Sequence, residues 1–113
     1  MNKQILKESI NKPTVWDKNE YVLINDVNVY SKLDIPEEIN LGFMKNTKLI
    51  FHPGSELDAK NIIAYQVDNE FNRLNAGIDG GMIFYDNSKK KFSINNVPMQ
   101  FGKKENHYLL NLG

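Results

Sequence analysis

The chain has 113 residues, 41% of them hydrophobic and twelve aromatic (six Phe, five Tyr and one Trp). A chain this long can bury about two-thirds of its unfolded surface without staples. Fourteen basic and fourteen acidic side chains cancel, which excludes a global field that recruits nucleic acid or an anionic membrane. With no cysteine there is no disulfide framework, thiolate zinc site or cysteine nucleophile, and the compartment leans toward the cytosol.

No apolar run reaches the roughly 18–20 residues of a membrane span. The opening MNKQILKESINKP has no apolar core of the kind found in a secretory signal. Thirteen Lys to one Arg, with 16 Asn, is a bias associated with AT-rich coding sequence, as in a low-GC bacterium or its phage.

Residues 2–10 predict a short helix through Ile5, Leu6 and Ile10, ended at Asn11-Lys12-Pro13. Trp16 reads as a core or edge anchor. Tyr21 to Ile24 is a continuous apolar run, and Val27 and Val29 alternate with polar residues, so strand is expected here. Residues 31–38 form a connector around Ile35-Pro36. Leu41, Phe43, Leu49 and Phe51 flank Lys45-Asn46 as a hairpin. A further hairpin is expected from Gly81–Asp86 and Lys91–Asn95 across residues 87–90. Pro98 interrupts the next segment, leaving Val97–Phe101 at most an edge strand. His107–Leu112 closes the sheet.

The longest single period lies between Ser55 and Gly77. Ile63, Val67, Phe71 and Leu74 recur at helical spacing. Pro53-Gly54 breaks the chain before it, Ser55 is placed to cap it, and Gly77 is placed to end it. The expected fold is therefore α+β. It is a single domain over 1–113, with a mainly antiparallel sheet of short strands and one long helix (about 55–76) packed on one face. In that helix Phe71 faces the core, and Phe71→Ala is expected to cost about 3–5 kcal/mol.

A second architecture is legible in VNVYSKLDIPEEI, NLGFMKNTKLIFHPG and SELDAKNIIAY, whose short strands and turns resemble rungs of a right-handed parallel β-helix. The stretch GGMIFYDNSKKKF resembles turns of phage tail-fibre proteins. Both resemblances cover under half of the chain and carry no catalytic signature, and the rung reading would have to discard the caps and helical period of residues 55–77.

Catalytic inventory is thin. His52 and His107 are the only histidines, and a metal pair would need a further ligand such as Asp58 or Glu105. Glu105 and His107 lie two apart, so on a strand they share a face and would suit general acid–base work. Asp34, Glu37 and Glu38 cluster around Pro36 without the spacing of a calcium loop. Gly77, Gly80 and Gly81 match no phosphate-binding pattern. Lys89, Lys90 and Lys91, with Tyr85, Lys103 and Lys104, form the candidate binding surface, lysines beside aromatics being the ingredients of single-strand binding. One arginine, however, is a poor endowment for base readout.

The composition and motifs together imply a small non-enzymatic binding module of inhibitor or immunity type, from a phage, mobile element or low-GC bacterium. Its expected partner is a macromolecule, protein rather than nucleic acid, with homo-oligomerisation as a further option and no membrane. No cofactor and no metal is expected, and the expected location is the bacterial cytoplasm. The alternative is a small metal-independent nuclease or hydrolase using His107 and Glu105. The second alternative is a structural subunit of a phage particle.

Overall fold

The computed structural model describes residues 3–97 and 99–112. Asn2, the expected start of the N-terminal helix, and Pro98, the expected strand breaker, lie outside the described residues. Among those described there is no helix, and fourteen short strands form three sheets.

The chain winds through the three sheets in turn. The first rung holds β1 (Gln4–Leu6), a single bridging residue, Ile10, and β2 (Thr14–Val15). The second holds β3 (Glu20–Leu23), β4 (Val27–Val29) and β5 (Lys32–Ile35), and the third β6 (Ile39–Phe43), β7 (Thr47–Phe51) and β8 (Glu56–Ala59). The fourth holds β9 (Ile62–Val67), β11 (Gly80–Tyr85) and β12 (Lys89–Lys91), with β10 (Arg73–Leu74) in an insertion after β9. β13 (Phe101–Lys103) and β14 (His107–Asn111) complete the order.

Each rung lies in parallel register on the one before. Gln4, Tyr21, Leu41 and Ala64 align in the first sheet, Val27, Leu49 and Met82 in the second, and Thr14, Leu33 and Leu57 in the third. Among the described residues, antiparallel pairing is confined to β10 against β9, to β13 and β14, with β14 also closing on β11, and to a single bridge between Ile94 and Val97. The architecture is a parallel β-solenoid of three faces, the alternative suggested by the rung-like segments. It overturns the α+β fold with a long helix.

Alternation of side chains builds the core. Tyr21, Leu23, Ile39, Leu41, Phe43 and Ile62 point in from the first sheet, meeting Val29, Leu49, Phe51, Met82 and Phe84 from the second and Leu33, Ile35 and Leu57 from the third. The Phe51 and Phe84 rings stack at 4.8 Å with planes 7° apart. Trp16 is buried at the N-terminal end, stacked on Tyr21 at 4.8 Å. At the other end Phe101, Tyr108 and Leu110 pack against the core from the two closing strands.

Corners use side chains that tolerate left-handed backbone or close a turn. Asn46 (φ 59°) and Asn87 (φ 66°) sit at corners, a conformation for which Asn is enriched. The Ser55 hydroxyl donates to the His52 carbonyl at 2.6 Å, and Ser88 repeats this one rung on with Tyr85 at 2.7 Å. Ser55 is thus a corner residue and not a helix cap. Asn95 (φ 48°) and Asn96 (φ 53°) make the two left-handed centres of a tight turn that bridges Ile94 to Val97.

The predicted helix dissolves into two strands and a loop. Leu57 and Ala59 face inward from β8, Ile62 and Ala64 from β9, while Val67 lies on the outer face. Phe71 is in the insertion with φ 67°, half-buried against Val22, Tyr65 and Val67 outside the first sheet. Residues 4–6, expected as helix, are strand. The two expected hairpins are overturned as well: β6 and β7 belong to different sheets, as do β11 and β12.

Deleting the fully buried Phe43 side chain should cost about 3–5 kcal/mol, whereas Phe71→Ala should cost only about 1 kcal/mol because that ring is half-buried on an outer face. Urea denaturation of the two variants checks the ratio, and equal losses would contradict the inward and outward assignment. Gly42 offers a second check. A Cβ there would meet Val67 Cγ1 at 3.0 Å and the Tyr65 ring at 3.1 Å, so Gly42→Val should destabilise by about 1–3 kcal/mol.

Candidate functional site

Because the interior is filled by stacked side chains, chemistry is left to the outward positions. Each outward residue has an in-register neighbour about 4.8 Å away on the next rung, so the outer faces carry ladders of like or complementary groups.

The third sheet carries two charged ladders. One runs Lys32, Glu56, Lys89, and the other runs Val15, Asp34, Asp58, Lys91. Lys32 bridges them, its Nζ lying 3.7 Å from Asp34 and 3.9 Å from Glu56. These exposed pairs contribute little, about 0–1 kcal/mol each. Beside the second ladder a groove of about 640 Å³ is lined by Val15, Asp34, Pro36, Asp58, Lys91 and Phe92, among others. Val15, on the edge strand β2, is 54% exposed. Lys60 and Ser93 complete the rim. Beneath it, Asn61 links three rungs: its amide donates to Glu38 at 2.9 Å, and its carbonyl accepts from the Ser93 hydroxyl at 2.7 Å.

Lysines predicted as a binding surface divide. Lys89, Lys90 and Lys91 form β12 itself, a strand and not the tip of a hairpin. Lys90 stands above Leu57 and extends its ammonium over Phe84, Phe101 and Tyr108, at 5.6, 5.6 and 4.7 Å from the ring centroids. Lys103 pairs with Asp86 at 3.0 Å and lies 4.4 Å from the Tyr108 centroid. Lys104 is exposed in the turn after β13.

Tyr85 belongs to a different ladder. Tyr30, His52, Tyr85 and His107 run up one corner, with centroids 4.4, 5.2 and 5.3 Å apart in succession. The two histidines therefore share a face of the molecule but are separated by the Tyr85 ring. His52 Nε2 is 2.8 Å from Asn28 Oδ1, and His107 Nδ1 is 3.0 Å from Asn106 Oδ1. Glu105 lies exposed in the β13–β14 turn, off the strand that carries His107, so the period-two alignment of these residues does not form. Among the described residues no group of three or more His, Asp and Glu converges on one point.

Gly80 and Gly81 are explained by close backbone approach: a Cβ on Gly81 would lie 2.6 Å from the Leu110 carbonyl oxygen, and one on Gly80 would fall onto the Thr47 carbonyl. Asp34, Glu37 and Glu38 also separate, Asp34 joining the charged ladder and Glu38 binding Asn61.

Outside the first sheet, Gly42 makes room for the Tyr65 ring, whose hydroxyl donates to Glu20. Burial, then the Glu20 carboxylate, push the Tyr65 hydroxyl well above its ordinary value. Arg73 lies 4.7 Å over the same ring. Burial likewise raises Tyr21. In the insertion, Asp68 accepts from the backbone N–H of Asn72 (2.9 Å) and of Glu70 (2.8 Å), which hold its carboxyl below the ordinary value of 3.8.

Comparison with protein-family models, curated proteins and solved structures returns no match. No helix among the described residues is long and apolar enough to cross a membrane.

The Asp68 turn supplies a pH test. A carboxyl lowered on folding stabilises its loop above the unfolded value and loses that contribution as pH falls through the lowered one. Amide resonances of Glu70 and Asn72 should accordingly shift together on acidification, with a midpoint below 3.8. A midpoint at or above that value would show that the backbone bonds do not hold the carboxylate.

Proposed function

We propose that this chain is a non-enzymatic binding module that engages a protein partner through the outer face of the third sheet. The supporting observation is the groove beside Val15, Asp34, Asp58 and Lys91. It combines an exposed apolar residue with carboxylates and amines of both signs, the mixture expected of a surface that recognises protein and not a polyanion. The stacked core makes the face rigid, so binding need not order a loop. An inhibitor or immunity-type role, by steric occupation of a host or competitor protein, is the form this reading takes. The bacterial cytoplasm is the proposed location, since a cysteine-free chain needs no oxidising compartment.

Quantitative affinity capture should recover one partner with the wild-type chain and lose it with Val15→Arg combined with Asp58→Lys, both at exposed or half-exposed positions that leave the core untouched. Equal recovery by the variant would move the interface elsewhere, and no saturable partner at all would remove the reading.

The solenoid also favours a second reading, a structural subunit of a phage particle, because stacked rungs suit fibrous assemblies. A strictly monomeric mass by light scattering would argue against it.

A further inference from the structure

The three sheets end differently at the C-terminal rim of the solenoid. In the second sheet β14 pairs with β11 and β13 covers β14. In the first, β10 pairs with β9 and Ile94 bridges to Ile62. The third sheet stops at β12, which among the described residues pairs on one side only, with β8. The Lys89 N–H donates to the Ser55 carbonyl at 2.9 Å. In a parallel ladder alternate residues bond to opposite neighbours, so Lys89 and Lys91 face β8 with their backbone and Lys90 turns its N–H and C=O to the open side.

This open edge is entirely cationic, and all three lysines are exposed. The ion pairs among the described residues engage Lys3, Lys32, Lys60 and Lys103, and none involves β12. Edge lysines are a common guard against pairing with another chain. Here the ladders below them give the charges a direction. Signs alternate along Lys32, Glu56, Lys89, and a lysine also ends Asp34, Asp58, Lys91. The next position in each ladder lies above a lysine, where a carboxylate is attracted and an ammonium repelled. Those two positions are two residues apart on one strand. The residue between them faces inward, over the Lys90 stem and the rings of Phe101 and Tyr108 that surround its ammonium.

We propose that β12 is a docking edge for an extended acidic segment of a partner protein, of the pattern acidic–apolar–acidic, added to the third sheet as a further strand. Backbone pairing with Lys90 supplies the strand addition, and Lys89 and Lys91 select its charge. This deepens the binding-module reading and rests on it; the edge shares Lys91 with the Val15 groove and is told apart from it by Lys89 and Lys90, which do not line the groove.

The test is a titration of ¹⁵N-labelled full chain with a short capped peptide of alternating glutamate and valine. Controls are its lysine–valine counterpart, the acidic peptide N-methylated on its pairing face, and a single-stranded oligothymidylate. The acidic peptide should shift the Lys90 amide and slow its hydrogen exchange. Lys89→Glu with Lys91→Glu should weaken binding by about tenfold or more, with circular dichroism confirming an unchanged fold. N-methylation should abolish it.

If the N-methylated peptide or the oligothymidylate binds as well as the acidic peptide, the edge is only a polyanion patch and strand addition is overturned. An unperturbed Lys90 amide overturns it too. The Val15→Arg variant should bind the acidic peptide like wild type. If it loses its captured partner while the acidic peptide fails to bind any form, the groove reading stands and the edge fails. If neither variant affects capture and the peptide does not bind, both fall.

Discussion

The fold depends on inward side chains stacking in register from rung to rung. No single rung can bury its own apolar face, because its strands are at most six residues long and find their hydrogen-bonding partners in the rungs above and below. The Val29, Phe51 and Phe84 stack shows the constraint at work: ring lies on ring, so the parallel backbone register and side-chain packing specify the same alignment. A one-residue slip would turn that whole row outward.

The same constraint explains the closing segment. At the last rung the interior positions pass from Leu33 and Leu57 to Lys90, and from Leu23 and Phe43 to Gln66. Both replacements end a stack with a polar head on a carbon stem. The Gln66 carbonyl accepts from the Asp79 N–H at 2.7 Å, tying the insertion to the end of the first sheet. Lys90 spreads its stem over the aromatic cap in the manner of a snorkelling side chain. In these two rows the polar residue comes where the stack ends, Gln66 buried and Lys90 exposed.

Strands were legible in the sequence, but their partners were not. Tyr21 to Leu23, Leu41 to Phe43, Leu49 to Phe51 and residues 107–111 are strands where alternation or an apolar run predicts them. A solenoid corner and a hairpin turn, however, make the same demand on the chain, a short polar break with a left-handed residue such as Asn46, so neighbouring strands are expected to pair. The repeat is hidden because rung length varies: Gln4 aligns with Tyr21, Tyr21 with Leu41, Leu41 with Ala64, and Val27 with Leu49 but Leu49 with Met82. The insertion between β9 and β11 lengthens the last of these. The false helix has a physical origin too. β9 is buried on both faces along most of its length, since Tyr65 and Val67 on its outer side pack with Val22 and with Phe71 of the insertion, and a strand covered on both sides loses the period of two. Chance then placed Ile63 and Val67 four apart from each other and Phe71 four further on.

The candidate surface was half visible for a related reason. Lys89 to Lys91 announce themselves as a run, but the partners that give them meaning, Glu56 and Asp58, are 33 residues earlier in the chain. Asp34 and Val15 are earlier still, and only parallel stacking brings all four levels onto one face. A net charge of zero conceals this, because summation over the chain cancels what the sheet separates. Sheet order converts sequence-distant charges into a ladder whose last unpaired step is positive. Among the described residues, the two ladders stop at Lys89 and Lys91, so the charge at this rim is the one that no neighbouring strand of the sheet offsets.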